Sequence, residues 1–246
     1  MGLKESGLRG SLRNVSVGID AIPDEPDLQW LIDEGSETTI TDENEDLEAN
    51  FESSPTWRDG DIFDNYLEMQ ANEDGWLSDP TPFTSSQWTL MVALELNDST
   101  DDGSIINAIG TEDLPTNVND DGNVFCIIEN DGDIGGGITE SGSANNAPEV
   151  PVSVPQNEIL FVAVTANLDT SDVETFVFDK SGDLVGSNQG NSDRDSPELS
   201  NPIVFSGYDE SDEFFDTINR DEHYVAVATD LFSQSQISDI WDNIRP

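Results

Sequence analysis

Short apolar segments separated by polar turns recur along the chain from about residue 28 onward. Trp88–Leu96 has the length and composition of a long strand, and the apolar run Ile159–Val164 is typical of a buried strand. Further strands are predicted at Leu28–Ile32, Tyr66–Ala71, Ser104–Ile109, Asn123–Glu129, Ile134–Thr139, Glu174–Phe178, Asp183–Gly186, Pro202–Phe205 and His223–Ala228. Surface loops are predicted at 141–157 and 187–202. Roughly ten or more strands with turn signals between them predict an all-β fold, a two-sheet jelly-roll sandwich.

Two hairpins and one helix can be placed within this pattern. Asn130–Asp133 lies between two predicted strands and predicts a hairpin, because Gly and Asn or Asp tolerate the positive φ of a tight turn. Lys180–Gly182 predicts a second hairpin. The clear helical segment is Ser233–Trp241, with Ser233 as N-cap and Gln236 at the capping-box position. Its apolar positions have helical spacing and are expected to pack on the sandwich: Ile237, Ile240, Trp241 and Ile244.

The charge of the chain predicts that the surface of this sandwich is strongly acidic. There are 53 Asp and Glu residues against 8 Lys and Arg, a net charge of −45. The patterned apolar segments, with five Trp and eleven Phe, argue against a disordered acidic tail. Such a surface repels itself unless salt shortens the screening length, which is about 3 Å at 1 M. The sequence therefore predicts a halophilic protein, from a haloarchaeon or one of its viruses, and excludes nucleic acid as a partner.

Few residues offer catalytic or metal chemistry. Cys126 is the single cysteine, so there is no intrachain disulfide, and its apolar surroundings predict a buried, inert thiol. His223 is the single histidine, which disfavours catalytic triads and multi-histidine zinc sites and is expected to be structural. No apolar stretch reaches the roughly 20 residues of a membrane span. The first residues have no apolar core of a secretion signal, so assembly in a host cytoplasm is expected.

Residues 1–25 differ in composition from the rest and are predicted to form an extended arm, separate from a domain at 26–246. The arm contains three of the eight basic residues, Lys4, Arg9 and Arg13, together with four glycines. A basic arm on an acidic protein is expected to dock onto an acidic neighbouring subunit. The alternative is an arm that packs on its own domain.

Four segments, taken in order, resemble the laminin G-like branch of the concanavalin A-like jelly rolls. They are Trp30–Asp42, with its Asp-Glu-Gly-Ser turn, Trp57–Gly60, Phe83–Trp88, and the strand-to-helix segment Tyr224–Ile237. The resemblance covers about residues 28–246. An acidic stretch follows Trp57 where the family has small residues and glycine, which affects the local turn rather than the fold.

The resemblance implies several functions, because relatives bind glycans, bind proteins, serve as structural decoration or hydrolyse polysaccharides. Glucanases of the superfamily share a Glu-x-Asp-x-x-Glu strand motif that supplies the two catalytic carboxylates. The nearest match, Glu210–Phe215, has Phe215 where the second Glu belongs. We therefore expect no catalytic residues and no enzyme activity.

The resemblance also implies a candidate Ca²⁺ site, although no cofactor is required. Ca²⁺ takes six to eight oxygen ligands, and the loops Asn97–Gly103 and Asn117–Gly122 offer them. The second loop resembles the start of an EF-hand, but Ile128 occupies the position of the closing Glu. The candidate ligands are Asp101, Asp102, Asp120 and Asp121. The alternative is that these loops are acidic only because the whole surface is.

Exposed aromatic rings next to Asp or Asn would recognise sugars. The candidates are Trp57, Trp76 and Tyr208, and core packing is the alternative for each.

These features predict a structural protein of the virion surface of a halophilic archaeal virus, such as a turret, spike or fibre module. The opening Gly2–Leu8 resembles structural proteins of haloarchaeal tailed viruses. The expected partners are other virion subunits, in a homo-oligomer with cyclic symmetry, and host surface glycans. The alternatives are a free glycan-binding or cell-surface module of a haloarchaeon and a glycoside hydrolase.

Overall fold

A computed structural model describes a discontinuous set of residues that contains all the elements discussed below. These residues are 26–32, 39–42, 47–51, 56–59, 65–69, 76–78, 85–96, 103–109, 123–128, 133–140, 143–144, 150, 158–191, 203–205, 207–208, 214–215 and 220–245. The predicted arm at 1–25 lies outside them, so its boundary with the domain stays a prediction.

The described part contains eighteen strands and one helix. They are β1 (Leu28–Leu31), β2 (Thr39–Thr41), β3 (Glu48–Phe51), β4 (Thr56–Asp59), β5 (Asn65–Met69), β6 (Trp76–Ser78), β7 (Gln87–Leu96), β8 (Gly103–Ile109), β9 (Asn123–Ile128), β10 (Ile134–Glu140), β11 (Ser143–Ala144), β12 (Ile159–Asn167), β13 (Asp172–Asp179), β14 (Leu184–Asn191), β15 (Ile203–Phe205), β16 (Gly207–Tyr208), β17 (Phe214–Phe215), β18 (Arg220–Ala228) and α1 (Gln234–Ile244).

Two eight-stranded antiparallel sheets form a sandwich, as the strand pattern predicts. The main sheet has the order β14-β13-β12-β7-β18-β5-β4, with β1 also paired to β18. The second sheet has the order β11-β10-β9-β8-β15-β6-β3-β2, and β16 and β17 form a separate pair. Both predicted hairpins are confirmed, since β9 pairs with β10 and β13 pairs with β14 in antiparallel register. The all-β sandwich predicted from the sequence is therefore confirmed.

The core between the sheets uses alternate residues of each strand. From the main sheet, Leu90, Val92 and Leu94 of β7 point inward. They meet inward residues of the second sheet, including Val124 and Ile138. Alternation of this kind follows from the pleat, because successive side chains point to opposite faces of a sheet.

The outer face of the main sheet is covered by α1, as its apolar positions predict. Ser233 caps the helix, and Gln236 completes the capping box. The Trp241 ring stacks on Phe161 at 4.9 Å between centroids, and its Nε1 donates to the Asp179 carbonyl at 2.7 Å. The main sheet is therefore buried on both faces at its centre, which explains the unbroken apolar runs of β7 and β12.

Two of the predicted loops contain strands. The predicted loop 187–202 begins inside β14, which continues to Asn191, and the predicted loop 141–157 contains β11. The polar, glycine-containing end of β14 has a loop-like composition, and only its register with β13 makes it a strand. Among the described residues, no helix is long and apolar enough to cross a membrane.

Candidate functional site

An open cavity of about 310 Å³ lies where the outer face of the main sheet meets the segment before α1. We call it the rim cavity. Its lining residues are Thr165, Asn167, Asp172, Val173, Glu174, Gln189, Leu231, Phe232 and Ser233. They come from β12, β13, β14 and the segment that leads into the helix.

Strand register arranges the polar residues of the rim cavity in two rows. Thr165, Glu174 and Gln189 lie directly opposite one another on β12, β13 and β14. Asn167 and Asp172 form the second row, two residues further along, with Asn191 as the next position. Residues opposite each other in antiparallel strands share a face, so the rows present a hydroxyl, two carboxylates and three amides together.

Hydrogen bonds hold the second row in place. Asp172 accepts from the Thr170 hydroxyl at 2.7 Å and from Nδ2 of Asn191 at 3.1 Å. The Asn167 Oδ1 accepts from the Asp169 backbone N–H at 3.1 Å. These side chains are held before any ligand arrives, which lowers the entropy that binding would cost. In the first row, burial raises the pKa of Glu174 above its ordinary value.

An apolar wall stands over the two rows. Leu231 is 38% exposed, whereas Phe232 is buried against the sheet. The Thr89 hydroxyl of β7 fixes this segment, because it accepts from the Phe232 N–H at 3.0 Å and donates to the Asp230 carbonyl at 2.7 Å. Ser233, the helix cap, closes the wall. Polar hydrogen-bonding groups beside an apolar surface are what a ligand of hydroxyls and C–H groups requires.

The rim cavity offers binding groups rather than reactive ones. Its described lining holds no cysteine, histidine, lysine or arginine. Three arginines of the described part are engaged elsewhere: Arg58 with Glu68 at 2.6 Å, Arg220 with Glu222 at 3.2 Å, and Arg245 with Asp242 at 2.6 Å. The local charge of the cavity is therefore negative.

A second polar cluster lies on the outer face of the main sheet near β5. Glu95 of β7 and Asp221 of β18 lie directly opposite each other. Burial, and then the charge of Asp221, raise the pKa of Glu95. Burial also raises the pKa of Tyr66, with Asp221 and Glu68 adding to the shift. Among the described residues, no group of three His, Cys, Asp or Glu side chains is arranged to hold a metal ion.

The buried residues Arg220, Glu222, Cys126 and His223 have positions that indicate structural roles. The side chains of Arg220 and Glu222 are fully buried as an ion pair. Burial raises the pKa of Cys126 to about 12, in agreement with an inert thiol. His223 lies at a register shift of β18 with its ring 5.3 Å from Tyr66, and burial lowers its pKa to about 4.

Of the three aromatic residues predicted to bind glycans, only Trp57 has a described side chain. Trp57 is half-buried on β4 and packs edge-on to Phe51, with 6.4 Å between ring centroids, against the core between the sheets. Trp76 lies on β6 and Tyr208 on β16, and their side chains lie outside the described part. Sugar binding by these three residues stays a prediction.

The predicted cation ligands and arm residues lie outside the described residues. They are Asp101, Asp102, Asp120, Asp121, Lys4, Arg9 and Arg13.

The residues of the rim cavity were not singled out by the sequence. Their one signal was polar alternation, since Asp172 and Glu174 flank the apolar Val173 in β13. That signal identifies an outward face but not its neighbours. Gln189 and Asn191 lie in a predicted loop, so the sequence does not predict the third residue of either row.

Three solved structures with a similar fold concern proteins that interact with sialic acid or gangliosides. The ligand-binding domain of botulinum neurotoxin serotype D, in complex with N-acetylneuraminic acid, has a TM-score of 0.61 and 14% identity, covering 89% of this chain and 51% of that chain. A structure described by the cell entry of botulinum neurotoxin type C, dependent on interaction with two ganglioside molecules, has a TM-score of 0.61 and 12% identity, covering 92% and 53%. Trypanosoma rangeli sialidase in complex with sialic acid has a TM-score of 0.59 and 12% identity, covering 88% and 33%.

These similarities concern the fold alone. The chain spans about half the length of the toxin chains and a third of the sialidase chain. No protein-family model matches the sequence, and no curated protein matches it. The laminin G-like branch and the haloarchaeal viral origin therefore stay predictions, whereas the broader prediction is confirmed: the chain is an all-β, two-sheet jelly-roll sandwich.

Proposed function

We propose that this protein is a non-catalytic glycan-binding module and that the rim cavity is its binding site. The observation that carries the proposal is the double row of hydroxyl, amide and carboxylate groups beneath an apolar wall. Sugar rings need this combination, because each ring presents hydroxyls at its edge and C–H groups on its faces. The lectin-like fold supports the same conclusion, although fold alone does not determine function.

The charge of the cavity restricts which glycans it would take. Asp172 and Glu174 contribute two carboxyl groups, and no lysine or arginine belongs to the described lining. A sialic acid carboxylate would meet like charge without a basic partner, which opposes binding. The proposed ligands are therefore neutral or amino sugars, in contrast to the sialic acid bound by the serotype D toxin domain.

The wider setting proposed for this module is the surface of a halophilic virion, with glycans of the host cell as its targets. The net charge of −45 supports a high-salt setting. The basic arm at 1–25 would dock the module to an acidic subunit of the particle. Deleting 1–25 should leave a folded domain that no longer enters particles, and normal incorporation would contradict docking by the arm. The alternative is a free cell-surface module of a haloarchaeon, which would not be incorporated into a virus particle.

Binding is tested on an array of neutral, amino and sialylated oligosaccharides in molar potassium chloride. We expect neutral or amino sugars to bind and sialylated ones to be rejected. Gln189→Ala should weaken binding about tenfold, because a sugar hydroxyl loses its amide partner. Gln234→Ala is the control, since Gln234 is an exposed amide on α1 that does not line the rim cavity.

The outcomes separate the parts of the proposal. Absence of binding to every sugar would refute the glycan-binding function. Binding of sialylated sugars in preference to neutral ones would refute the predicted specificity but leave the function intact. Release of reducing sugar from any bound oligosaccharide would refute the non-catalytic assignment.

A further inference from the structure

β14 is an edge of the main sheet, and its composition differs from that of the other described edges. It has eight residues, none of them charged. The opposite edge of the same sheet, β4, carries Arg58 and Asp59. The other described edges are short: β1, which pairs only with β18, has four residues, and β2 and β11 at the edges of the second sheet have three and two. Short length and charge are the usual protections of sheet edges against pairing with another chain, and β14 has neither.

β14 is also accessible along its whole length. None of its residues is buried, and Leu184 and Val185 at its start are 38% and 47% exposed. A register shift opposite Val177 and Phe178 affects only this first end. From Gly186 to Asn191 the strand pairs regularly with β13. This regular part presents outward backbone N–H and C=O groups to a further strand. One of its N–H groups, that of Gln189, donates to Oδ1 of Asn188 at 2.9 Å and would exchange this partner on pairing.

We propose that β14 is a self-association edge, at which β14 of a second copy of this chain pairs in antiparallel orientation. Charge argues for this place, because two copies of charge −45 repel each other wherever their acidic surfaces meet. Leu184–Asn191 is a charge-free strand, and the nearest charges in sequence are Asp183 and Asp193 at its two ends. A basic partner would instead be drawn to the acidic faces, so a neutral polar edge suits a second copy better.

The pairing is closed by symmetry. Antiparallel pairing of identical strands has a two-fold axis normal to the sheet. The β14 edges of both copies are therefore occupied by the same contact, and association through β14 ends at a dimer. Residues opposite each other must share a face of the sheet. The two-fold axis therefore passes through one residue position, Ser187 or Asn188 at the middle of the strand, and that residue lies opposite the same residue of the second copy. The same axis leaves the two rim cavities on one side of the joined sheet. Salt strengthens the pairing, because it screens the repulsion between the rest of the two surfaces.

The test is sedimentation velocity of the full chain over a range of protein concentrations. The potassium chloride concentration is raised in steps, starting from the lowest one at which the protein stays folded. We expect a reversible dimer whose fraction rises with salt. The variant S187K/N188K places one lysine opposite its own copy in either register and should weaken the dimer about tenfold or more. S235K/N243K, on exposed positions of α1, makes the same change in net charge and should dimerise as the unchanged chain does.

A second measurement keeps the proposal testable if the lysine variant fails to fold, which circular dichroism would reveal. Hydrogen exchange of the unchanged chain should show β14 amides that become protected as protein concentration rises, while amides of β4 do not. A chain that stays monomeric under all conditions overturns the proposal. So does a dimer that forms equally well in the folded edge variant, or one whose β14 amides exchange independently of protein concentration.

Discussion

β12 and β14 belong to the same sheet, pair with opposite edges of β13 and are nearly equal in length, but they differ in burial. Every residue of β12 from Ile159 to Ala166 is buried, whereas no residue of β14 is. β12 lies between two strands, beneath α1 on one face and above the second sheet on the other. Burial in this sheet therefore depends on two covering layers, and β14, which lies outside them, is left exposed.

The largest difference between the two strands is expected at the ring of β12 that lies under the helix. Phe161→Ala removes the ring that stacks on Trp241 and should lower the free energy of unfolding by about 3–5 kcal/mol. Leu184→Ala, at the exposed edge, should change it by less than about 0.5 kcal/mol. Urea titration in molar potassium chloride measures both. Equal effects at the two positions would show that burial does not distinguish these strands.

The pH dependence of stability should come from the central strands, because β14 has no titratable side chain. His223 of β18 has its pKa lowered from 6.5 to about 4 by burial. Between these values the unfolded chain binds a proton that the folded chain refuses, so stability falls as pH decreases from 6.5 to 4. At about 1.4 kcal/mol for each pH unit the loss is about 3 kcal/mol.

The measurement for this prediction is the urea midpoint at several pH values in that window. His223→Gln should flatten the dependence, whatever its effect at neutral pH. An unchanged slope in the variant would assign the loss to the carboxyl groups instead.

The packing of β12 against the second sheet can be tested at Gly136 of β10. A Cβ atom at this position would lie 2.4 Å from the methyl carbons of Val164, so Gly136→Ala should cost about 1–3 kcal/mol. Val164→Ala makes room for the new methyl, and the double variant should lose less than the sum of the two single losses. Gly190→Ala in β14 is the edge control. Additive losses in the double variant would contradict this contact.

The smallest effect is expected at the partly exposed pair on the outer face. Ionised Glu95 faces Asp221, and since its pKa is raised in the folded state, it costs stability at pH values above that pKa. Glu95→Gln should therefore stabilise the protein at pH 7 by at most about 1 kcal/mol, because solvent and salt screen the pair. The gain should vanish as the pH falls through the carboxyl range.

Thermal melting at the lowest workable salt concentration detects this difference. Glu158→Gln, at an exposed position before β12, changes the net charge equally and is the control. A gain of the same size in the control would make the effect one of net charge rather than of the pair.

Strong local signals predicted the fold well. Asn130–Asp133 and Lys180–Gly182 each specify a turn, and Ser233 with Gln236 specifies a helix start, so their elements are where the sequence indicates. The short strands β2 and β4 are not predicted, because each has a single apolar residue among polar ones and so no apolar run. Such strands form because a neighbouring strand supplies their hydrogen bonds.

The candidate site was harder to predict than the fold. Thr165, Glu174 and Gln189 are separated along the chain and meet only through the register of three strands. Nothing local to any one of them indicates the other two. The aromatic candidates followed from residue type alone, and the one with a described side chain, Trp57, packs against the core.

The amino-acid sequence by itself determined the class of this protein: alternating apolar segments, turn residues and a capped helix are local properties that predict a β-sandwich, and counting charges predicts an acidic surface. Tertiary structure alone decided which side chains share the rim cavity, which strands are covered twice, and which strand is left as an uncharged edge. The reason is physical, since strand pairing and layer stacking join residues that are distant along the chain.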